Sequence, residues 1–309
     1  MINTRVDVFG RPWALLPERL QVIAELAALR ASGVRLPKEE MRAAREAATM
    51  SAWSSAPGGQ QSYGTIAVIP IRGILTHRAN WISSLFGTSI DKLTSQFRRA
   101  LSDASVKGIV FDVDSPGGSV DGVQELADEI YRSRSRKKTV AVANGLAASA
   151  AYWLAAAAGE LAVTPSGQVG SIGVFAAHED LSKALERDGI KVTLVAAGKY
   201  KTDGNPYEAL SESGRSDIQS KVNAFYEMFV KSVARGRSFE ASAIESRFGR
   251  GRLVLANDAV ARGMAERVAT LDETIAKIDL GRAQSNRPSA ARFRSVELTR
   301  RELELALHF

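Results

Sequence analysis

One serine stands among very small side chains in Gly145-Leu146-Ala147-Ala148-Ser149-Ala150-Ala151-Tyr152-Trp153, downstream of Asp114-Ser115-Pro116-Gly117-Gly118-Ser119 and upstream of Gly198-Lys199-Tyr200-Lys201. A serine hydroxyl attacks a carbonyl only when a base takes its proton, and a lysine can do so only as the neutral amine that a desolvated pocket favours. Together the three segments point to a serine hydrolase with a lysine base. Gly117 and Gly118 follow an apolar strand and precede a helix, where free backbone N–H groups can face a developing oxyanion. Ala150 would lend a second N–H at the positive end of the helix that Ser149 opens. Each feature also has an ordinary reading: the diglycine as a turn, the serine as a helix cap, the lysine as a solvated loop residue. Lys199 competes with Lys201 for the base on these grounds.

Such groups need a framework that carries strand ends to one place. Residues 66–71, 108–113 and 139–143 are short apolar runs with strand composition. Residues 89–101, 120–132 and 149–157 have helical spacing, the first aligning Ile90, Leu93, Phe97 and Leu101. Alternating strands and helices imply a mostly parallel sheet covered on its faces, because parallel strands require crossover connections. The expected fold class is therefore α/β. Residues 192–197 read as a further strand, 217–235 as a long helix with Ile218, Val222, Phe225, Phe229 and Val233 along one side, and 255–271 as a closing helix and strand. Upstream, 16–30 and 37–48 read as helices, and 51–62 has linker composition. The expected organisation is a helical extension over 1–50, a linker over 51–64, a main domain over 65–280 and a basic, flexible tail over 281–309.

Composition narrows the chemistry. A chain of 309 residues, 45% hydrophobic, can bury a sizeable core. It contains no cysteine, which excludes disulfides, thiolate catalysis and thiolate metal sites, and its three histidines, His77, His178 and His308, are too scattered for a metal cluster. No metal or organic cofactor is expected. The net charge of +7 comes partly from a C-terminal stretch in which Arg282, Arg287, Arg292, Arg294, Arg300 and Arg301 outnumber Glu297, Glu302 and Glu304, so nucleic acid is not expected as a partner. The polar residues 1–7 do not read as a signal peptide, and the most apolar window, 140–163, owes its character to alanine and contains Glu160. A membrane anchor is not expected, and the cytoplasm is the expected location.

The ordered blocks Asp-Ser-Pro-Gly-Gly, Ala-Ser-Ala-Ala-Tyr-Trp, Gly-Ser-Ile-Gly-Val at 170–174 and Gly-Lys-Tyr-Lys resemble the signal peptide peptidase A family (S49) of serine proteases, relatives of the caseinolytic protease and crotonase folds. The resemblance covers about 65–275 and implies a core of repeated ββα units. It implies Ser149 as nucleophile, Lys201 rather than Lys199 as base, and Ser171 as a residue that orients the lysine amine. It departs from the family where alanines, Ala150 and Ala151, follow the serine instead of glycines. A helical extension and linker in place of an anchor resemble the phage-encoded branch that processes capsid and scaffold proteins during head maturation, in the host cytoplasm or the prohead. The resemblance further implies protein or peptide substrates and a ring-like homo-oligomer. Four alternatives remain at this level: a housekeeping protease of the same family, a Ser-His-Asp enzyme using His178, a crotonase-like acyl-CoA enzyme, and a non-catalytic assembly factor.

Overall fold

The computed structural model describes residues 8–31, 39 and 61–285. The helix expected over 37–48, most of the linker and most of the basic tail lie outside them. The chain opens with β1 (Trp13–Leu15) and α1 (Pro17–Ala31), then β2 (Gln61–Tyr63), β3 (Ile66–Arg72), β4 (Ile74–Thr76), α2 (Trp81–Phe86), β5 (Gly87–Ser89) and α3 (Ile90–Ser102). Next come β6 (Gly108–Ser115), β7 (Gly117–Ser119), α4 (Val123–Ser133), β8 (Lys138–Ala148), α5 (Ala150–Ala156), β9 (Glu160–Val163) and β10 (Gln168–Gly170). The remainder forms α6 (Ser182–Arg187), α7 (Glu212–Arg237), α8 (Ala241–Arg247), β11 (Leu253–Leu255), α9 (Ala256–Ala261), β12 (Arg267–Val268) and α10 (Leu271–Ser285). Among the described residues, 272–285 belong to a second compact unit.

Two sheets organise the fold. The larger runs β11-β10-β8-β6-β3-β2, with β9 beside β8 and β12 beside β9; the smaller runs β1-β7-β4-β5. The central pairs β3/β6, β6/β8, β8/β9 and β8/β10 are parallel, as the alternation of strands and helices requires. All eight residues of β6 are buried, which is why its sequence is apolar apart from Asp112, Asp114 and Ser115. Arg72 forms an ion pair with Asp112, and the Asn144 amide donates to the same carboxylate at 3.0 Å. Helices α3 and α4 set Leu93, Phe97, Leu126 and Ile130 into one core with Ile69, Ile109 and Phe111 of the sheet.

Helix α5 is buried at every position. On it α7 lays Phe229, whose ring stacks on Trp153 at 4.5 Å. The two helices approach so closely that a Cβ on Gly236 would strike the Ala156 carbonyl. The guanidinium of Arg134 closes the C-terminal end of α5 by donating to the carbonyls of Ala156, Ala157 and Ala158 at 3.1, 2.9 and 2.5 Å, and it reaches Gly236 at 3.0 Å. Four carbonyls that a helix end or tight crossing leaves unpaired are thus satisfied by one side chain.

The strand expected over 192–197 is not formed. No described strand pairs with this segment; the stretch 188–201 is exposed and irregular, Val195 being 96% accessible. An apolar run becomes a strand only where a neighbour accepts its hydrogen bonds. The long helix starts earlier than its apolar periodicity predicts, at Glu212, because the Ser211 hydroxyl accepts from the Gly214 N–H and caps it.

Candidate active site

Strand β8 delivers the serine. Its first half, Val140 to Ala143, lies between β6 and β9, whereas its second half, Leu146 to Ala148, pairs with β10. The change of neighbour occurs at Asn144-Gly145, and Gly145 has φ +102°, a conformation suited to glycine. Immediately beyond, Ser149 turns the chain from strand into helix α5 with φ 54° and ψ −120°. Left-handed φ is unfavourable for a side chain bearing a Cβ, and such strain costs about 1–3 kcal/mol. The Ser149 N–H donates to the Gly170 carbonyl at 2.7 Å, and its carbonyl accepts the Trp153 N–H at 2.9 Å, so the turn is held from both sides.

The hydroxyl of Ser149 does not cap α5. Its partner is the carbonyl of Gly173 at 3.4 Å, a long contact, and the residue is 1% exposed. Ordinary use of a serine at a helix start is therefore not what this structure realises. Helix α5 has seven residues and begins at Ala150, whose N–H belongs to the first turn and faces outward from the helix end.

Strand β7 brings the diglycine alongside. Gly117 has φ +94°, and a Cβ there would stand 3.0 Å from that of Ser149, 3.0 Å from the Ala148 carbonyl and in collision with the Ala14 carbonyl. A Cβ on Gly118 would run into the backbone of Leu75, its neighbour on β4. Both positions need glycine for space, and Gly117 also for its backbone angle. Buried Ser115 ties the loop down: its hydroxyl donates to the Gly73 carbonyl at 2.6 Å and accepts the Gly117 N–H at 3.2 Å.

Ser171 directly follows Gly170, the partner of Ala148 in the β8/β10 register, and it too has left-handed φ, 52°. Its N–H donates to the Arg252 carbonyl at 2.9 Å, and the residue is buried. The structure thus gathers Gly117, Gly118, Ser149, Ala150 and Ser171 around the carboxyl ends of β8 and β10. Lys201 is not joined to them by a hydrogen bond within this protomer; it is exposed, in the irregular stretch that precedes α7. Lys199 places its ammonium 4.9 Å from the centre of the Tyr200 ring. The His178 ring engages the Asn205 carbonyl at 3.0 Å through Nε2, so a Ser149–His178 pair is not formed here.

Three contributors escaped sequence reasoning. Ser115 had the signal of its own motif, Asp-Ser-Pro-Gly-Gly, but no hint of its partner Gly73. Arg134 lies in a basic run, Arg132 to Lys138, that resembles a solvated turn. Strand β1 is three residues long and carries no pattern of its own, yet it pairs antiparallel with β7, Ala14 opposite Gly118.

Residues 83–169 match the Clp protease family, which agrees with an α/β core of the crotonase and Clp protease kind. Residues 132–285, just under half of the chain, match peptidase family S49. It is 37% identical over 180 residues to the head-tail preconnector protein GP5 of Enterobacteria phage P21, covering 58% of this chain and 36% of that protein. It is 39% identical over 170 residues to the capsid assembly protease C of Escherichia phage lambda, covering 55% and 39%. With Protease 4 of Salmonella typhi it shares 31% identity over 215 residues, 69% of this chain and 34% of that one. The chain thus spans less than two fifths of the length of these three relatives. Among the described residues no helix is long and apolar enough to cross a membrane.

Proposed function

We propose that this chain is a serine endopeptidase of the phage head-maturation type. Ser149 attacks the peptide carbonyl, and Lys201, as a neutral amine, takes its proton and passes it to the leaving amine. The N–H groups of Gly118 and Ala150 hold the oxyanion, Gly117 sets the turn, and Ser171 orients the lysine. The observation that carries this reading is Ser149 itself, held at left-handed φ beside Gly117 with its hydroxyl left out of helix capping. Strain of this kind persists where surrounding structure enforces it, and functional sites are where it concentrates.

Lys201 follows a stretch in which Ile190, Leu194, Val195 and Tyr200 are exposed. So much unpaired apolar surface favours a homo-oligomer that covers it, and covering it would desolvate the amine and carry it to a Ser149 of the assembly. Similarity to the lambda capsid assembly protease supports capsid and scaffold proteins as substrates, met in the host cytoplasm or prohead. The alanines around Ser149 favour small or apolar side chains at the cleaved bond. No cofactor, metal or nucleic acid takes part.

Incubation with candidate capsid and scaffold proteins, read by mass spectrometry, tests the proposal. Ser149→Ala and Lys201→Ala should each lower the cleavage rate by about 10⁴-fold or more, and His178→Ala should leave it near wild type. Activity lost in His178→Ala but kept in Lys201→Ala would replace the lysine by a triad. The longer alignment with Protease 4 favours a second reading, a housekeeping protease of the signal peptide peptidase kind, which cleavage of hydrophobic leader peptides but not capsid proteins would establish.

A further inference from the structure

We infer that the N-terminal strand Trp13–Leu15 occupies the groove through which a peptide reaches Ser149, as a substrate-like strand of the chain's own, so that cleavage requires its displacement. The inference rests on Ser149 being the nucleophile, as proposed above.

The groove has two edges, and β1 is bonded to both. On one side Trp13 exchanges backbone hydrogen bonds with Phe175, N–H to carbonyl at 2.7 Å and the return bond at 3.0 Å, while the Gly10 N–H donates to Ala177 at 2.9 Å. On the other, Trp13, Ala14 and Leu15 lie antiparallel to Ser119, Gly118 and Gly117, and the Leu16 N–H donates to Pro116 at 3.0 Å. Backbone bonds of an extended strand alternate from edge to edge. Because Trp13 faces Phe175, Ala14 directs its N–H and carbonyl at Gly118, the residue assigned to the oxyanion. Its carbonyl and the Cβ of Ser149 crowd the same side of Gly117. A small residue therefore sits with its carbonyl among the groups proposed to act on a scissile carbonyl, and Ser149 is sealed to 1% exposure.

Main-chain pairing of this kind accepts any extended segment, with side-chain pockets adding selectivity. The strand's own anchors are apolar: Trp13, whose indole N–H donates to the Val8 carbonyl at 2.8 Å, and Leu15, both in a cluster with Leu20, Ile23, Ile74 and Phe86. At three residues the paired segment is short enough for a longer substrate strand to compete with it.

The test uses the full chain. Ala14→Pro removes the N–H aimed at Gly118 while keeping every apolar anchor. Cleavage of a denatured fluorescent protein and labelling of Ser149 by a fluorophosphonate should both accelerate by about tenfold or more, because an occupied groove lowers apparent affinity by the fraction of open protein. A synthetic peptide of residues 8–16 should return the variant to the wild-type rate. A folded Ala14→Pro protein no faster than wild type overturns the inference. Should the variant not fold, hydrogen exchange of the Trp13–Leu15 amides in the wild type decides: a peptide boronate bound to Ser149 should abolish their protection, and unchanged protection refutes displacement. Failure of fluorophosphonate and boronate to modify Ser149 in either protein, with cleavage persisting in Ser149→Ala, would instead remove the nucleophile assignment and the inference with it.

Discussion

Gly117 packs against Ser149 so closely that the Cβ it lacks would stand 3.0 Å from the serine Cβ, and its φ of +94° is one that L side chains rarely adopt. Gly117→Ala should therefore abolish cleavage and lower stability by about 2 kcal/mol or more, combining left-handed strain with a collision against fixed backbone. Thermal melting beside a peptidase assay measures both. A Gly117→Ala protein with wild-type stability would show that the loop can swing clear, and that its place beside Ser149 is not enforced.

Strain at Ser149 makes a second, less obvious prediction. Both Ser149→Ala and Ser149→Gly remove the hydroxyl, so both should be inactive; only glycine relieves the φ of 54°. Denaturant unfolding should find Ser149→Gly more stable than Ser149→Ala by about 1 kcal/mol or more, because alanine keeps the Cβ that this backbone angle penalises and is also the poorer residue at a helix N-cap.

Tyr152 offers a pH signature. Its phenol is fully buried, donates to the Met264 carbonyl at 3.0 Å, and is pushed well above the ordinary tyrosine range by burial. Below about pH 10, where an unfolded tyrosine is neutral, its contribution to stability is complete. Above that, the unfolded state loses the proton first, so stability falls as pH rises. Tyr152→Phe should cost about 1 kcal/mol at neutral pH and show a shallower alkaline decline, read from unfolding curves between pH 8 and 11.

Arg134 is expected to behave as a structural cap rather than as surface charge. Arg134→Ala leaves the carbonyls of Ala156, Ala157 and Ala158 without their shared donor and should destabilise by about 2–3 kcal/mol. Arg134→Lys should recover only a part of this, because a single ammonium cannot reproduce the planar fork. Calorimetric melting of the three proteins separates these outcomes.

Local patterning in the chain determined a good deal. The β-α alternation, the positions of α3, α4 and α5 to within a few residues, and the buried parallel strands follow from spacing and apolarity alone, because these elements satisfy their own backbone bonds or sit between two neighbours. The blocks containing Gly117, Gly118 and Ser149 were legible for a related reason, since each follows a strand, where local chemistry sets the turn; Ser171 was singled out only by the resemblance to the S49 family. What only the tertiary structure decided depends on partners far away in sequence. Residues 192–197 have strand composition but no strand neighbour among the described residues, and they are exposed. Trp13–Leu15 has almost no pattern, yet two edges more than a hundred residues away make it a strand. Lys201 illustrates the boundary: its motif is local, but in this protomer it lies exposed and without a hydrogen bond to Ser149, and any approach of the two is a property of packing that no stretch of sequence contains.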